Sequence, residues 1–268
     1  MKRRLDQYLV EEGLCESREK AKRAIIAGQI RINGHKALKP SDIVREGTRI
    51  EVAEAEKFVS RGGHKLERAL EYFHVNVEGW TAADLGASTG GFTDCLLQHG
   101  ASKVYAIDVG KGQLAWALRQ DPRVVVMEKV NARHLQRQQM PQPFSGTDLI
   151  VVDCSFISLT KILPAAVALG KVSSRIIALI KPQFEAGKAV VDQGKGVVRD
   201  PIVHQQVVTS LETFAVKKLD LSWHGTVESP ILGPAGNKEF LCLMEINAHA
   251  GNQEDRPDRQ SGQAPLAG

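Results

Sequence analysis

The sequence predicts an α/β protein in which a small α+β domain precedes a larger domain with a seven-stranded, mostly parallel sheet. Short helical patterns and a hairpin signal fill the first 55 or so residues, whereas strand-like and helix-like runs alternate from about residue 80 onward. The chain has 268 residues, 43% of them hydrophobic, which suffices for two cores. We expect domains at residues 1–57, including a short polar linker, and 58–247, followed by a disordered polar tail at 248–268.

The small domain is predicted from helix and turn signals. A first helix is indicated by apolar residues at helical spacing, namely Leu5, Tyr8, Leu9 and Leu14. Ser17 is a suitable N-cap for a second helix over residues 18–27, which Gly28 ends. A strand then leads into an Asn-Gly turn at residues 30–34, and another strand covers residues 49–52.

The larger domain is predicted from its βαβ alternation. Seven strands are expected near residues 82–85, 103–108, 124–128, 149–153, 175–181, 219–227 and 239–245. Helices are expected between them, for example at residues 91–99, 113–119, 159–168 and 202–216. This alternation indicates a parallel sheet covered on both faces. Only a short loop separates the last two strands, so we expect them to pair in antiparallel fashion.

Composition and charge exclude several classes of protein. No run approaches the roughly 18 apolar residues of a membrane span, and no apolar stretch follows the basic N-terminus. The four cysteines are far apart and form no CxxC pair, so neither a metal site nor a disulfide framework is expected. The net charge of +4 is concentrated in residues 1–49, which hold 12 Lys and Arg against 7 Asp and Glu. These features favour a cytoplasmic protein with a polyanionic partner and no membrane association.

A glycine-rich turn after the first strand of the larger domain indicates a cofactor site. Its middle position in a GxGxxG pattern is Ser88, and the phosphate-binding P-loop is absent, so S-adenosylmethionine fits better than a dinucleotide. Asp108 ends the next strand, where a carboxylate can bind ribose hydroxyls, and Asn131 follows the third strand near an adenine edge. The predicted cofactor-binding residues are Asp84, Gly86, Ala87, Ser88, Thr89, Gly90, Gly91, Phe92, Asp108, Val109, Asn131 and Asp153.

Two further strand ends carry residues suited to methyl transfer. Asp153 and Lys181 close apolar strands and should meet at the carboxyl edge of the sheet. Partial desolvation of Lys181 favours its neutral amine, which can accept a proton from an attacking ribose hydroxyl. Lys65 and Glu239 are candidates for a second cation and a second carboxylate in the same site, although spacing alone does not show that the four residues meet.

Cys154 supports a different reaction, the methylation of a pyrimidine at C5 by a thiolate nucleophile. It directly follows a buried strand, and no second cysteine or Pro-Cys pair accompanies it. Buried cysteines of this kind are usually inert packing residues. The sequence also lacks the Asn-Pro-Pro-aromatic motif of base methylation.

These motifs closely resemble those of the TlyA family, whose members are labelled hemolysins but act as ribosomal RNA 2′-O-methyltransferases. The resemblance rests on Asp84–Asp94, Val104–Leu114, Asp153–Leu159 and Ile180–Glu185, and it extends from about residue 3 to residue 246. It implies an S4 RNA-binding domain, seen in Arg4-Leu5-Asp6 and residues 30–34, followed by an FtsJ-type, Rossmann-like class I methyltransferase domain.

The family resemblance also implies which residues act and on what. By motif match, the catalytic tetrad is Lys65, Asp153, Lys181 and Glu239, and the family fold brings the four together. The implied substrate is cytidine in 16S or 23S ribosomal RNA, or in both, within ribosomes or their subunits. The sequence does not indicate which subunit is modified, and the oligomeric state is assumed to be monomeric.

Basic side chains predict the RNA-binding surface. The candidates are Arg4, Arg18, Lys20, Lys22, Arg23, Arg31, Arg61, Lys188 and Lys195. Those at helical spacing after Ser17 form a phosphate-contacting face. We expect residues 185–199 to form a flexible basic loop over the cleft, where Lys188 and Lys195 help grip a flipped nucleotide.

Two other functions compete with the methyltransferase. A non-catalytic RNA-binding assembly factor could keep the same fold, but the intact glycine-rich loop and the four tetrad residues argue against it. A membrane-active hemolysin would need an amphipathic or spanning segment, and the sequence shows none.

Overall fold

The computed structural model describes residues 2–45, 47–53 and 56–248. It divides into two compact units, with the boundary between Lys57 and Phe58. The predicted tail from residue 249 onward, and two residues of the predicted linker, lie outside the described residues.

The first unit packs two helices against two small sheets. The helices are α1 (Leu5–Glu11) and α2 (Arg18–Ile26). Strands β1 (Lys2–Arg4) and β4 (Ile43–Arg45) form one antiparallel pair, and β3 (His35–Lys36), β2 (Ile30–Ile32) and β5 (Ile50–Val52) form a three-stranded antiparallel sheet in that order. Its core consists of Leu5, Leu9, Ala21, Ile25, Ile30, Ala37 and Val44.

Local signals account for much of this unit. The Ser17 side chain accepts a hydrogen bond from the Lys20 amide at 3.2 Å, which confirms the predicted N-cap of α2. The first helix is shorter than predicted, because it stops at Glu11 and leaves Leu14 outside and 42% exposed. Gly13 adopts a φ of 70° just before Leu14, which ends the helical path. Strands β1 and β4 were not predicted, since three-residue strands carry too little periodicity.

The second unit is built on one seven-stranded sheet. Its strands are β6 (Thr81–Leu85), β7 (Lys103–Asp108), β8 (Val124–Glu128), β9 (Thr147–Val152), β10 (Gly170–Ile180), β11 (Leu221–Glu228) and β12 (Phe240–Ile246). The order across the sheet is β11-β12-β10-β9-β6-β7-β8. Only β12 runs against its neighbours, β10 and β11, so the mostly parallel sheet and the antiparallel last pair are both confirmed.

Helices cover both faces of this sheet. The helices of this unit are α3 (Gly62–Tyr72), α4 (Gly91–Gln98), α5 (Trp116–Gln120), α6 (Leu163–Leu169), α7 (Pro182–Glu185), α8 (Lys188–Gln193) and α9 (Pro201–Leu219). Alternate strand residues face opposite cores: Ile150 and Val152 pack with α6 and α9, whereas Leu149 and Val151 pack with α3 and α4.

Three helix predictions are corrected by the structure. Helix α3 was missed, although Leu66, Ala69 and Leu70 have helical spacing and are buried. The helix predicted over residues 159–168 is a 3₁₀ turn followed by α6, because Pro164 favours a fresh helix start. The expected flexible loop over residues 185–199 instead contains α8, and Glu185 belongs to α7.

The fold places a crevice at a defined edge of the sheet. Strands β6 and β9 are adjacent and parallel, and the chain order reverses between them. In open α/β sheets, ligands bind outside the carboxyl ends of the strands at such a reversal. Gly86 and Asp153 directly follow these two strands.

Candidate active site

Two adjoining cavities open at the carboxyl ends of β6 and β9. One, of about 300 Å³, is lined by the Lys65, Asp153, Lys181 and Glu239 side chains. The other, of about 450 Å³, is lined by residues that include Asp108, Val109 and Asn131. We call them the tetrad cavity and the donor cavity. Gly86, Ser88, Asp153 and Ser155 line both, so the two form one continuous site.

Lys65 and Glu239 form a buried ion pair. Nζ of Lys65, on α3, lies 2.5 Å from Oε2 of Glu239, just before β12. The Lys65 side chain is 11% exposed and that of Glu239 is 1% exposed. The other oxygen, Oε1 of Glu239, has no hydrogen-bond partner among the described residues. A buried pair of this kind holds the lysine ammonium in a fixed position.

Lys181 forms the second ion pair, with Asp153. Its Nζ lies 2.6 Å from Oδ1 of Asp153 and donates a hydrogen bond to Oγ of Ser155 at 2.8 Å. The contact with Oδ1 is an ion pair by distance, but its angles are not those of a hydrogen bond. The Lys181 side chain is 9% exposed, so the fold holds a largely desolvated amine at the edge of the tetrad cavity.

Two glycines allow the backbone to approach these side chains. Gly86 has a φ of 90°, and a Cβ there would lie 2.7 Å from the backbone oxygen of Asp153. A Cβ at Gly233 would lie 2.5 Å from Oε1 of Glu239. Both distances are shorter than a van der Waals contact, so any larger residue would displace a tetrad carboxylate or the loop that carries it.

Asp108 joins the two loops of the donor cavity. Its Oδ2 accepts a hydrogen bond from the Ser88 amide at 2.8 Å, and its Oδ1 accepts one from the Gly110 amide at 2.7 Å. The Asn131 side chain accepts a hydrogen bond from the Arg133 amide at 3.0 Å. Asp108 and Asn131, both predicted to bind the cofactor, line the donor cavity and also hold its walls in place.

Asp84 is placed behind the cavities rather than in them. It is fully buried, and Thr93 donates a hydrogen bond to its Oδ2 at 2.7 Å. Burial, with smaller contributions from the charges of Asp153 and Asp108, raises the pKa of Asp84 to about 7, against the lowering effect of hydrogen bonds from Thr93. Gly90 also lies outside both cavity walls, and a Cβ there would meet the Leu118 side chain.

The rest of the predicted glycine-rich loop divides between cavity and core. Ala87, Ser88, Thr89, Gly91 and Phe92 all line the tetrad cavity. Ala87 and Phe92 also belong to the hydrophobic core beneath α3 and α4, where Phe92 is 3% exposed.

The Cys154 thiol is poorly suited to act as a nucleophile. Burial, together with the charge of Asp153, raises its pKa to about 12. Its Sγ contacts the backbone oxygen of Leu85 at 3.4 Å, and its side chain packs against the core. A thiolate is the reactive form of cysteine, so this environment favours the packing interpretation.

Phe156 is a site residue that the sequence interpretation missed. It is 90% exposed, lines the donor cavity and has a φ of 63°, which is rare for a bulky residue. Its ring lies 5.2 Å from that of Phe184, centroid to centroid. Strained backbone and an exposed aromatic ring beside a cavity are typical of a binding position. No sequence pattern marks the strain, because positive φ is not encoded by a phenylalanine.

Glu185 connects the loop after β9 with the segment after β10. Its Oε2 accepts a hydrogen bond from Oγ of Ser158 at 2.6 Å, and its Oε1 accepts one from the Leu159 amide at 2.7 Å. Burial raises its pKa, against the lowering effect of these bonds. The two segments that carry Asp153 and Lys181 are thus tied together a few residues beyond the ion pair.

The predicted RNA-binding residues occupy several environments. Arg4 and Arg18 both bind the fully buried carboxylate of Asp6, at 3.0 and 2.8 Å, and remain about half exposed. Lys20 pairs with Glu16, and Arg31 donates a hydrogen bond to the Gly34 backbone oxygen at 3.3 Å. The remaining candidates are half-buried Lys22, exposed Arg23, Lys188 and Lys195, and exposed Arg61, which lines the tetrad cavity.

Two classes of feature are not found in the described part of the chain. No group of three or more His, Cys, Asp or Glu side chains there is arranged to hold a metal ion. Among the same residues, no helix is both long and apolar enough to cross a membrane.

Comparison with protein families gives two matches. The FtsJ-like methyltransferase family model matches residues 58–245, and the S4 domain model matches residues 3–50. These ranges fall on either side of the boundary between the two structural units.

Individual relatives match most of the chain. The 16S/23S rRNA (cytidine-2′-O)-methyltransferase TlyA of Mycobacterium tuberculosis is 47% identical over 246 residues, which cover 90% of this chain and 89% of that protein. Hemolysin A of Brachyspira hyodysenteriae is 42% identical and covers 91% of this chain and 100% of its own. A solved structure from Streptococcus thermophilus that carries the name hemolysin has a TM-score of 0.70 at 42% identity, covering 92% of this chain and 89% of that one.

Proposed function

Because this chain belongs to the TlyA family, with an S4 domain and an FtsJ-like methyltransferase domain, we propose that it methylates the 2′-hydroxyl of cytidine in ribosomal RNA. The methyl donor in this proposal is S-adenosylmethionine. The observation that carries the proposal is the pair of adjoining cavities, one lined by two Lys–carboxylate pairs and the other suited to a nucleoside.

The donor cavity fits S-adenosylmethionine on the evidence of its walls. Gly86 lets the loop after β6 pack directly on the Asp153 backbone at the cavity wall, and Asp108 offers carboxylate oxygens at a position suited to ribose hydroxyls. Bound there, S-adenosylmethionine supplies an electrophilic methyl carbon on a sulfonium. Asn131 is then suited to the adenine edge, and Asp84 lies behind the loop as a buried acid.

Lys181 is the proposed proton acceptor. The 2′-hydroxyl is a very weak acid, so its proton must leave as the oxygen gains the methyl group. In its neutral form, the Lys181 amine beside the cavity has a free electron pair that can take that proton and become the ammonium paired with Asp153, while Asp153 and Ser155 fix its direction. The Lys65–Glu239 pair faces the same cavity and would orient the ribose.

The environment of Cys154 supports oxygen rather than carbon as the methylated atom. With its thiol pKa raised to about 12, almost no thiolate exists near neutral pH. Methylation at C5 would require that thiolate as a covalent nucleophile.

RNA is proposed to bind through the S4 domain and through basic residues around the cleft. Arg61 lines the tetrad cavity, and Lys188 and Lys195 lie on the segment after β10. A target nucleotide inside a stem must leave the stack to reach Lys181. The exposed Phe156 ring offers a surface on which the flipped base can stack. Ribosomal subunits are the proposed partner, which would place the reaction in the cytoplasm.

The proposal is tested by incubating the protein with isotopically labelled S-adenosylmethionine and isolated small or large ribosomal subunits, then digesting the RNA to nucleosides. Mass spectrometry should find the label on the ribose of cytidine. Label on a base would refute the 2′-hydroxyl as target. No label on either subunit, together with intact RNA binding, would favour a non-catalytic assembly factor. The subunit that becomes labelled identifies 16S or 23S RNA as the substrate.

A further inference from the structure

Asn237 lies two residues before Glu239 and is buried, with 1% of its surface exposed. Its Oδ1 accepts a hydrogen bond from the Val198 amide at 2.8 Å, and its Nδ2 donates one to the Gly196 backbone oxygen at 2.9 Å. Its own backbone oxygen accepts a hydrogen bond from the Gly233 amide at 2.9 Å. One amide side chain thus binds two backbone groups of a distant segment.

The segment it binds is residues 188–198, which we call the basic segment. The backbone of Lys195 and Gly196 bonds back to α8, through Lys195 N to Asp192 O and Gly196 N to Val191 O. Helix α8 and the turn after it are therefore joined by backbone hydrogen bonds. The segment carries the exposed side chains of Lys188 and Lys195, whereas Val198 at its end is buried.

Asn237 is also close in sequence to Glu239, which lines the tetrad cavity. Glu239 receives the Ser229 amide on its backbone oxygen at 2.8 Å and Nζ of Lys65 on its side chain. Gly233, which bonds to Asn237, also packs against Oε1 of Glu239. Asn237 therefore bonds to the basic segment through its side chain and, through its backbone oxygen, to Gly233, which packs against the Glu239 carboxylate.

We propose that Asn237 is a positioning residue that fixes the basic segment relative to the Glu239–Lys65 pair. RNA bound by the segment then has its ribose aligned with the tetrad cavity. This rests on the proposed function. A buried amide that satisfies two backbone groups is costly to replace, since truncation leaves both groups unpaired in a buried place. The predicted defect has two parts, because the segment contacts RNA and Glu239 faces the reacting ribose.

The test compares full-length Asn237→Ala, Lys195→Ala, the double variant and wild type. Affinity for ribosomal subunits is measured with S-adenosylhomocysteine present, and the single-turnover methylation rate is measured at saturating subunits. Lys195→Ala should weaken affinity by about three-fold, because it removes one phosphate contact. Asn237→Ala should weaken affinity and also lower the saturated rate by about ten-fold.

The double variant shows whether the affinity losses of Asn237→Ala and Lys195→Ala are independent of each other. In the absence of the Asn237 side chain, Lys195 no longer has a fixed position. Replacing Lys195 as well should therefore add little to the loss of affinity. Additive losses, or a normal saturated rate in a folded Asn237→Ala protein, would overturn the proposal. Asn76→Ala is the matched control, because that asparagine also accepts a backbone amide, from Glu78, but lies in an exposed turn outside both cavity walls.

A conservative variant covers the case in which Asn237→Ala does not fold. Asn237→Asp keeps the acceptor for the Val198 amide and loses the donor to Gly196, so both defects should be present but smaller. Unchanged affinity and rate in Asn237→Asp would count against the proposal. Wild-type methylation is measured in the same series: its failure would refute the proposed function, whereas the coupling in RNA affinity can be read without any catalysis.

Discussion

Asp6 is a buried carboxylate whose charge stabilises the first unit. Arg4 donates hydrogen bonds to both of its oxygens, and Arg18 donates one to Oδ2. Hydrogen bonds from Arg4, then Arg18, lower its pKa to about 2, against the raising effect of burial. The unfolded value is near 3.8, so the stabilisation is fully present above about pH 4 and is lost as the pH falls through 2.

Asp6→Asn should therefore destabilise the first unit at neutral pH. Because both arginines are about half exposed, we expect a loss of about 1 kcal/mol. Hydrogen exchange of the α1 amides in the full-length protein measures it. The difference between variant and wild type should shrink as the pH falls from 4 toward 2. A difference that is independent of pH over this range would show that the carboxylate charge does not matter.

Phe156 should bind RNA and contribute nothing to stability. Stacking of a base on an aromatic ring is worth about 1–3 kcal/mol, so Phe156→Ala should weaken binding of ribosomal subunits by about ten-fold or more. Phe156→Tyr should keep wild-type affinity. Because the side chain is 90% exposed, the melting temperature should not fall in either variant. Equal affinity of the Ala and Tyr variants would exclude stacking at this position.

The sequence identified residue types better than residue contacts. Asp153 and Lys181 follow adjacent parallel strands, so their meeting could be anticipated from the sheet. Lys65 and Glu239 are 174 positions apart, and nothing in their spacing predicts the 2.5 Å contact. Only the family resemblance suggested it. The positive φ of Phe156 had no signal at all, because local strain is imposed by tertiary packing.

At the scale of elements, Glu185 ties α7 to the 3₁₀ turn that follows the Asp153 loop. Glu185→Ala would leave the Leu159 amide without its partner and release the two segments that carry Asp153 and Lys181. We expect a roughly ten-fold lower saturated methylation rate, because loosely supported catalytic groups lose alignment. Glu212→Ala, an exposed glutamate on α9, is the control and should behave as wild type. A normal rate in a folded Glu185→Ala protein would show that Glu185 does not position the pair.

Helices and strands could be predicted where their hydrophobic patterns extend over several residues. All seven strands of the large sheet have apolar runs, and the structure shifts their bounds by a few residues at most ends. The greatest extension is β10, which begins at Gly170 rather than near residue 175. Helix α8 was missed because it has no buried residues and therefore no apolar periodicity.

At the scale of the whole molecule, the two units divide the proposed work between RNA binding and chemistry. Lys22 and Arg23 on α2 are candidate phosphate contacts outside both the Arg4–Asp6–Arg18 cluster and the Lys20–Glu16 pair. Each phosphate contact contributes about 0.7 to 0.9 to the slope of log affinity against log salt. Lys22→Ala/Arg23→Ala should therefore weaken binding of ribosomal subunits and make that slope shallower by about 1.5.

The affinity difference between the variant and wild type should itself depend on salt concentration. The variant retains fewer ionic contacts, so its deficit relative to wild type should be largest at low salt and shrink as salt rises. Lys217→Ala, near the end of α9, should match wild type at every salt concentration. An unchanged slope would exclude this face of the S4 domain from the RNA interface.

The role of Lys181 as proton acceptor is tested most directly by comparing the single-turnover methylation rates of Lys181→Ala and Cys154→Ala on the ribosomal subunit that wild type labels. Affinities for S-adenosylmethionine and for that subunit are measured alongside. Lys181→Ala should bind both nearly as wild type does and produce no 2′-O-methylcytidine, whereas Cys154→Ala should remain active. An active Lys181→Ala protein, or a folded but inactive Cys154→Ala protein, would contradict transfer to a ribose oxygen assisted by Lys181.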